Sequence, residues 1–598
     1  MLNKILTGAV AAAMKDLYDQ EVLEENVQVQ RTRKEFDGDL TVVVFPYSKM
    51  ARKAPRQIGE EIGAYLKDKL EEVEDFNVIK GFLNISFRLA YWLEFLRQAL
   101  NTKDYGRQAK KDKDAPVVIE FSSPNTNKPL HLGHIRNNLL GWSVAEILEA
   151  SGREVKRVNL VNDRGIHICK TMLAWQKWGN GITPSKAEKK GDKFVGDYYV
   201  QFEKQNKLEV KQKMLEGYSE EEAGRQSDLM KEARGMLKKW ELGDEDTREL
   251  WEKMNAWVYK GFDKTYKRMG IRFDKIYFES ETYLLGKEIV TQGLQEGILF
   301  KKDDGSIWAD LSDEGLDEKL LIRADGTSVY MTQDLGTAQL RYDNFKPGKL
   351  LYVVGNEQNY HFDVLKIVLK KLGKAYADDI FHISYGMVEL PHGKMKSREG
   401  TVVDADDLME EMHASAKAIT SVLGKIDEFS QEEAEELFEK IGMGALKYFI
   451  LKVDPKKNML FNPDESIQFD GNTGPFIQYA HARIQSLQSK ALEKGYKKPY
   501  LTKKSVLQDI LPRERQILKQ LQEFPEIIRQ SAETYSPAQL ANYIYELVKD
   551  YNGFYQDTPV LKEEDEQKLL FRLGLSEMTG KVIRTGMALL GIEVPDRM

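Results

Sequence analysis

The hydrophobic pattern divides the chain into three territories. Over residues 1–112 a helical start is followed by an alternating run at 40–45, an amphipathic helix at 56–72 and strands within 76–87, an α+β pattern. The charge run at 110–114, just before Pro116, reads as a linker. Across 113–410 the rhythm changes. Residues 115–121 form a short apolar run with the look of a buried strand, and 135–150 carry Leu139, Leu140, Ala145, Ile147 and Leu148 at helical spacing. Further strands are predicted at 155–161, 327–331, 350–354 and 381–388, with a hairpin at 299–310 turning at Asp303-Asp304-Gly305. Strands alternating with helices predict parallel pairing. Residues of about 180–270 show no strand signal and read as a helical insertion. From 411 to 598 only helices are predicted, one of them opened by Ser536-Pro537 in cap-then-proline order.

Composition adds exclusions. With 598 residues, 41% hydrophobic and 31% charged, the chain has ample core for several globular domains. It contains no apolar run near the roughly 20 residues that span a bilayer, so no membrane partner is expected. Cys169 is the one cysteine, which rules out an intrachain disulfide and multi-thiolate zinc sites and suits a cytoplasmic protein. The net charge of −7 argues against attraction of nucleic acid to the whole surface, while local basic patches can still bind RNA. One such side is predicted from Arg31 to Lys34 with Lys49, Arg52, Lys53 and Arg56, beside the aromatics Phe36, Phe45 and Tyr47.

The candidate chemistry lies in the loop after the 115–121 strand: Glu120-Phe121-Ser122-Ser123-Pro124-Asn125-Thr126-Asn127-Lys128-Pro129-Leu130-His131-Leu132-Gly133-His134. Strand, polar loop and helix make the first half of a nucleotide-binding unit. Free N–H groups and the dipole at such a helix start favour a polyphosphate, Gly133 leaves its approach open, and His131 and His134 can donate to it. Two histidines three residues apart also fit a metal pair. A distant basic loop, Gly393-Lys394-Met395-Lys396-Ser397-Arg398-Glu399-Gly400, favours the phosphate reading. Neither a P-loop nor a Gly-x-Gly-x-x-Gly fingerprint is present. Lys302-Asp303-Asp304-Gly305 fits a nucleotidyl-lysine pattern, but four common letters on a hairpin turn match easily by chance.

The two loops resemble the HIGH and KMSKS signatures of class I aminoacyl-tRNA synthetases. Further stretches narrow the resemblance to the arginyl-tRNA synthetases: Glu120 to Asn125, then Tyr330-Met331-Thr332-Gln333-Asp334, Gln358-Asn359-Tyr360-His361-Phe362, and the run from Asp470 to Arg483. The resemblance implies a class I Rossmann-like catalytic domain with a helical insertion, an N-terminal α+β tRNA-binding module and a C-terminal all-α anticodon-binding domain. It implies catalysis by His131, His134, Lys128, Lys394, Lys396 and Arg398. ATP is expected at Asn127, His131, Gly133, His134, Met395 and Ser397, and the substrate arginine at Glu120, Ser122, Asn125, Tyr330, Asp334 and Gln358. For tRNA it implies contacts at Tyr479 and at Met598, the end of a terminus resembling the family's. Aromatics such as Tyr543, Tyr545 and Phe554 could stack on bases, although most suit a helical core. One departure is that the basic loop reads Lys-Met-Lys-Ser-Arg, with Ser397 where the general motif has its second lysine. Lys128 matches a lysine that such arginyl enzymes are thought to use instead, and charge can come from either loop because only its position at the phosphates matters.

The implied reaction joins arginine to tRNA(Arg) through arginyl-adenylate, at the terminal 2′-hydroxyl. Activation is expected to need bound tRNA and ATP with Mg²⁺, but no zinc and no organic cofactor. The subunit is expected to act as a monomer. A nucleotidylyltransferase for a small carboxylic acid would share this chemistry but needs neither flanking module. A non-catalytic tRNA-binding paralogue would not need both histidines, the basic loop and the whole arginine pocket.

Overall fold

The computed structural model describes residues 2–33, 35–110, 114–391, 403–422 and 429–598. They form two compact units. Met1–Tyr105 shares one with Arg483–Pro525 and Glu546–Val582, and the rest of the chain makes the other. In the first unit, Val29–Arg31, Leu40–Val43, Phe82–Phe87 and Val73–Ile79 form an antiparallel sheet in that order. Buried Asp39 accepts the Phe87 N–H at 2.7 Å and pairs with Lys519 at 2.7 Å and Arg515 at 3.2 Å. Several residues of the expected basic side are paired: Arg31 with Glu523, Lys53 with Glu61 at 2.7 Å and Arg56 with Glu60 at 2.9 Å. Lys34 lies outside the described residues.

The second unit is built on five parallel strands, ordered Ile380–Tyr385, Lys349–Gly355, Val117–Glu120, Val155–Val161 and Lys275–Phe278. All four residues of Val117–Glu120 are buried, as a central strand covered on both faces requires. Strand order reverses between Val117–Glu120 and Lys349–Gly355. In a doubly wound sheet, ligands bind in the crevice beyond the carboxyl ends at such a switch point. The helices Gly191–Leu215, Glu220–Gln226, Asp228–Glu241 and Glu245–Met269 fill the insertion. Asp163, at the end of the second strand, binds the last of them: its carbonyl accepts from Trp251 Nε1 at 2.6 Å and its carboxylate from Tyr259 Oη at 3.0 Å.

Two strand expectations are corrected. Residues 327–331 are not a strand, because Tyr330–Phe345 is a helix; Met331, Leu335 and Ala338 bury at helical spacing, and Ser328 keeps only an isolated bridge to Ile322. The run at 381–388 is two strands: the chain leaves the sheet after Tyr385, and Val388–Glu389 pairs with Met459–Leu460 in a separate ribbon. A Cβ on Gly386 would lie 2.6 Å from the Asn458 backbone nitrogen, so the turn between them has no room for a side chain.

Candidate active site

The helix Leu132–Ala150 starts on a cap made by its two histidines. His131 is the N-cap; its Nδ1 accepts the Gly133 N–H at 3.1 Å, and His134 Nδ1 accepts the His131 N–H at 3.2 Å. The rings stack obliquely, 3.9 Å between centroids, and a Cβ on Gly133 would come within 3.0 Å of His131 Cε1. Glycine therefore makes room for the His131 ring. An accepting Nδ1 assigns each ring's proton to Nε2. Burial, reinforced by the charge of Lys128, pulls His131 down to about 4, and burial with His131 and Lys128 holds His134 well below its ordinary value. Both rings are neutral and offer an Nε2–H.

This corrects the idea of free backbone donors at the helix start. Leu132 N–H is donated to Val403 O at 3.3 Å, Gly133 N–H to His131 Nδ1 and His134 N–H to His131 O at 2.8 Å. The histidine rings, together with the helix dipole, present the positive end instead. Residues 403–405 are held beside them, because Ala405 donates its N–H to Leu130 O at 2.9 Å and His131 bridges Asp404. The chain thus returns from the basic loop next to the histidines. Lys394, Met395, Lys396, Ser397 and Arg398 themselves lie outside the described residues.

The cap has a measurable consequence. An unfolded histidine titrates near 6.5, whereas folded His131 titrates near 4. Between these values the unfolded chain binds more protons, so the stability this ring contributes is whole above about pH 6.5 and is lost as pH falls toward 4. Asparagine can still cap the helix. The melting temperature of His131→Asn should therefore fall less between pH 7 and pH 5 than that of the unmodified chain; equal falls would remove His131 from this account.

A cavity of about 490 Å³ lies over the switch point, lined by Ser123, His131, Gly133, His134, Asn137, Gly355, Glu357 and Tyr385 among others. Asn137 ties its walls together. Its Oδ1 accepts the Ser122 N–H at 2.6 Å, and its Nδ2 donates to Val353 O at 2.7 Å and Tyr385 Oη at 3.2 Å. Ser122, with φ of 66°, turns its hydroxyl inward to Tyr266 Oη at 2.7 Å. Its hydroxyl thus braces the loop, while Ser123 lines the cavity. Asn127 is buried, and its Oδ1 has no hydrogen-bond partner among the described residues.

Beside the cavity the sheet edge gathers carboxylates. Glu120, at the end of its strand, is buried; its Oε1 accepts from Ser123 Oγ at 3.3 Å and its Oε2 pairs with Arg341. Burial pushes its carboxyl up, Arg341 pulls it down and Asp334 pushes it up again. Asp334 lies one turn after Tyr330 on the same helix, and His361 Nε2 sits 2.6 Å from its Oδ2. Glu279 follows the strand Lys275–Phe278 and receives Gln333 Nε2 at 3.4 Å. Burial first, against Arg164 and with Asp163 and Asp334, pushes its carboxyl up to about 7. Three carboxyl groups converging with so few cations fit a cationic ligand, and a rigid guanidinium fork matches several acceptors at once.

Not every expected residue joins the group. Tyr330 is 79% exposed, and Asn125 and Gln358 are exposed at the rim, Asn125 bridging Asn162. Tyr479 packs edge-on against Phe469 and Met598 is half-buried at the chain end, and neither lines the cavity. Tyr543 and Phe554 are core residues, not exposed stacking platforms. Glu279, Gln333, Glu357 and Arg341 are residues that sequence reasoning missed. The placement of Glu279 just after a sheet strand is a signal that could have found it.

Family models described as "tRNA synthetases class I (R), catalytic domain", "DALR anticodon binding domain" and "Arginyl tRNA synthetase N terminal domain" match residues 95–462, 477–598 and 4–87. An arginine–tRNA ligase of Bacteroides fragilis is 57% identical over 597 residues, covering 100% of this chain and 99% of its own. One from Porphyromonas gingivalis is 55% identical over 596 residues, covering 99% of each. Among solved structures, the Thermus thermophilus arginyl-tRNA synthetase superposes with a TM-score of 0.81 at 27% identity, and each chain is covered in full.

Proposed function

This chain belongs to the arginyl-tRNA synthetase family of class I aminoacyl-tRNA synthetases, and from that premise we propose how its own residues carry the reaction. It is an arginine–tRNA ligase: it activates L-arginine with ATP and transfers the arginyl group to the 3′-terminal adenosine of tRNA(Arg). The observation that carries the residue assignments is the meeting, at one switch point, of two histidines that offer Nε2–H groups with a carboxylate-rich pocket.

ATP, brought as its magnesium complex and so part of the substrate, occupies the cavity over the histidine cap. Glu120 and Asp334 hold the guanidinium of arginine, with Glu279 beside them and Tyr330, Asn125 and Gln358 at the rim. The arginine carboxylate attacks the α-phosphorus. A new O–P bond forms, the bond to the β-phosphate bridging oxygen breaks, and pyrophosphate leaves with that electron pair. Charge grows on the phosphate oxygens, so His131 and His134 act by donating preorganised hydrogen bonds and need no proton transfer. Lys128 adds a cation on the same side, where its field already reaches both rings. Lys394, Lys396 and Arg398 cover the departing pyrophosphate from the second loop. The 2′-hydroxyl oxygen of the terminal ribose then attacks the arginyl carbonyl carbon: a C–O ester bond forms, the anhydride bond from that carbon to the phosphate oxygen breaks, and AMP leaves with that electron pair and takes up the hydroxyl proton. The enzyme works as a monomer in the cytoplasm, where its N-terminal module and the Tyr479 and Met598 region take the tRNA.

The test is arginine-dependent ATP–pyrophosphate exchange, with other amino acids as controls, with and without tRNA. Exchange only with arginine and only with tRNA supports both the pocket and the coupling to RNA; exchange without tRNA rejects the coupling. In the same assay, Lys128→Ala should lower the exchange rate by about 10²- to 10³-fold, as for loss of one preorganised transition-state contact. Full activity of Lys128→Ala beside an inactive Lys396→Ala would place the compensating charge on the basic loop.

A further inference from the structure

We propose that Arg341 is a positioning residue for the substrate arginine, a buried internal guanidinium that orients the Glu120 carboxyl group from behind. It rests on the reading of Glu120 as part of the arginine pocket. The helix Tyr330–Phe345 carries Tyr330, Asp334 and Arg341 at spacings of four and seven residues, so all three share one face. That face runs from the surface to the core: Tyr330 is 79% exposed, whereas Arg341 is 1% exposed.

At the buried end the Arg341 guanidinium lies over the rings of Tyr277 and Tyr352, 5.4 and 5.3 Å from their centroids, and pairs with Glu120 Oε2. Rings from two separate strands of the sheet fix the plane of the fork, and the fork fixes the carboxylate. Glu120 Oε1 is left toward Ser123 and the loop. Among the described residues the groups facing Glu120 are Arg341 and Asp334 from the helix, Ser123 from the loop, Tyr352 from the neighbouring strand and Tyr277 from the edge strand beyond Val155–Val161. Arg341 is the only cation among them. A buried carboxyl next to a second carboxylate gains a proton unless a cation opposes it, and a protonated Glu120 cannot hold a guanidinium by charge. The substrate guanidinium stays charged throughout, so the pH dependence belongs to the pocket.

The experiment is steady-state aminoacylation by the full chain as Arg341→Met, Arg341→Lys, Glu120→Gln and the double variant Glu120→Gln/Arg341→Met, from pH 6 to 9. With Arg341→Met we expect the KM for arginine at pH 7 to rise about tenfold for each unit by which the Glu120 carboxyl exceeds the assay pH. The rise should shrink toward pH 9, with the KM for ATP unchanged. Discrimination against citrulline, the neutral isostere, should fall by the same factor, and Arg341→Lys should restore most of it. Glu279 titrates in this window in every variant, so only differences between variants count. On the Glu120→Gln background, adding Arg341→Met should change nothing. That double variant removes the ion pair as a pair, which folded proteins commonly tolerate. A normal arginine KM in Arg341→Met beside an impaired Glu120→Gln overturns the inference, as do additive defects in the double variant. A normal arginine KM in Glu120→Gln overturns the pocket reading instead.

Discussion

Asp334→Asn is expected to lower kcat/KM for arginine by roughly 30- to 5,000-fold, the 2 to 5 kcal/mol typical of truncating one member of a buried, hydrogen-bonded charge pair. The amide keeps the size of the carboxylate but loses its charge and one acceptor oxygen. A guanidinium drawn into the pocket would then have shed its water without full compensation. His361 Nε2 already lies 2.6 Å from Asp334 Oδ2, so one oxygen is held in place and the other remains for a ligand. The loss is partly offset, because Asp334 is also one of the groups that push the Glu120 carboxyl up, and its neutralisation leaves Glu120 more readily charged. The deficit should therefore sit in the KM for arginine, leaving the KM for ATP near its ordinary value. Pyrophosphate exchange at varied arginine measures this directly. An unchanged kcat/KM would take Asp334 out of the pocket.

The second large effect is expected at His134, where two substitutions separate two jobs. His134→Asn keeps a side-chain acceptor near Nδ1, able to take the His131 N–H, but has no donor where Nε2–H stands. It should melt close to the unmodified chain while kcat falls about 10²- to 10³-fold, or 2.7 to 4 kcal/mol, the size of losing one preorganised donor to developing charge. His134→Gln reaches farther and places an amide N–H nearer to Nε2, and glutamine at N3 can still accept the N-cap N–H as in other capping boxes. It should therefore retain more of kcat than the Asn variant and melt close to the unmodified chain. The reverse order, with an active Asn variant and an inactive Gln variant, would mean that the ring acts through the helix start and not on the phosphates.

Local features were legible before any coordinates. The strand, loop and helix from Val117 to Ala150 are contiguous, and their apolar spacing and loop residues needed no distant partner to be read. The same holds for the second strand at Val155–Val161 and for the insertion helices, whose length makes periodicity plain. Short elements failed. The strand Lys275–Phe278 has four residues, with Ile276 pointing to solvent, and so escaped notice together with Glu279 at its end. The alternation at 327–331 was a coincidence over five residues, overridden by the longer helical period from Met331 to Arg341. The N-terminal module also shares a compact unit with stretches near residues 500 and 560, a grouping that linear composition cannot express.

By itself, then, the sequence determined the parallel α/β core, the flanking modules and the two histidines at the helix start, because each is written in consecutive residues, whereas Glu120 and Asp334 were singled out by the family resemblance. Tertiary structure alone decided that Leu132 at the helix start donates its N–H to Val403, that Ser122 faces inward, and that Arg341 stands behind Glu120. Those facts depend on which atoms meet across 100 residues and more of chain. Burial sets their charge states, and neither the meeting nor the burial is a property of any local stretch.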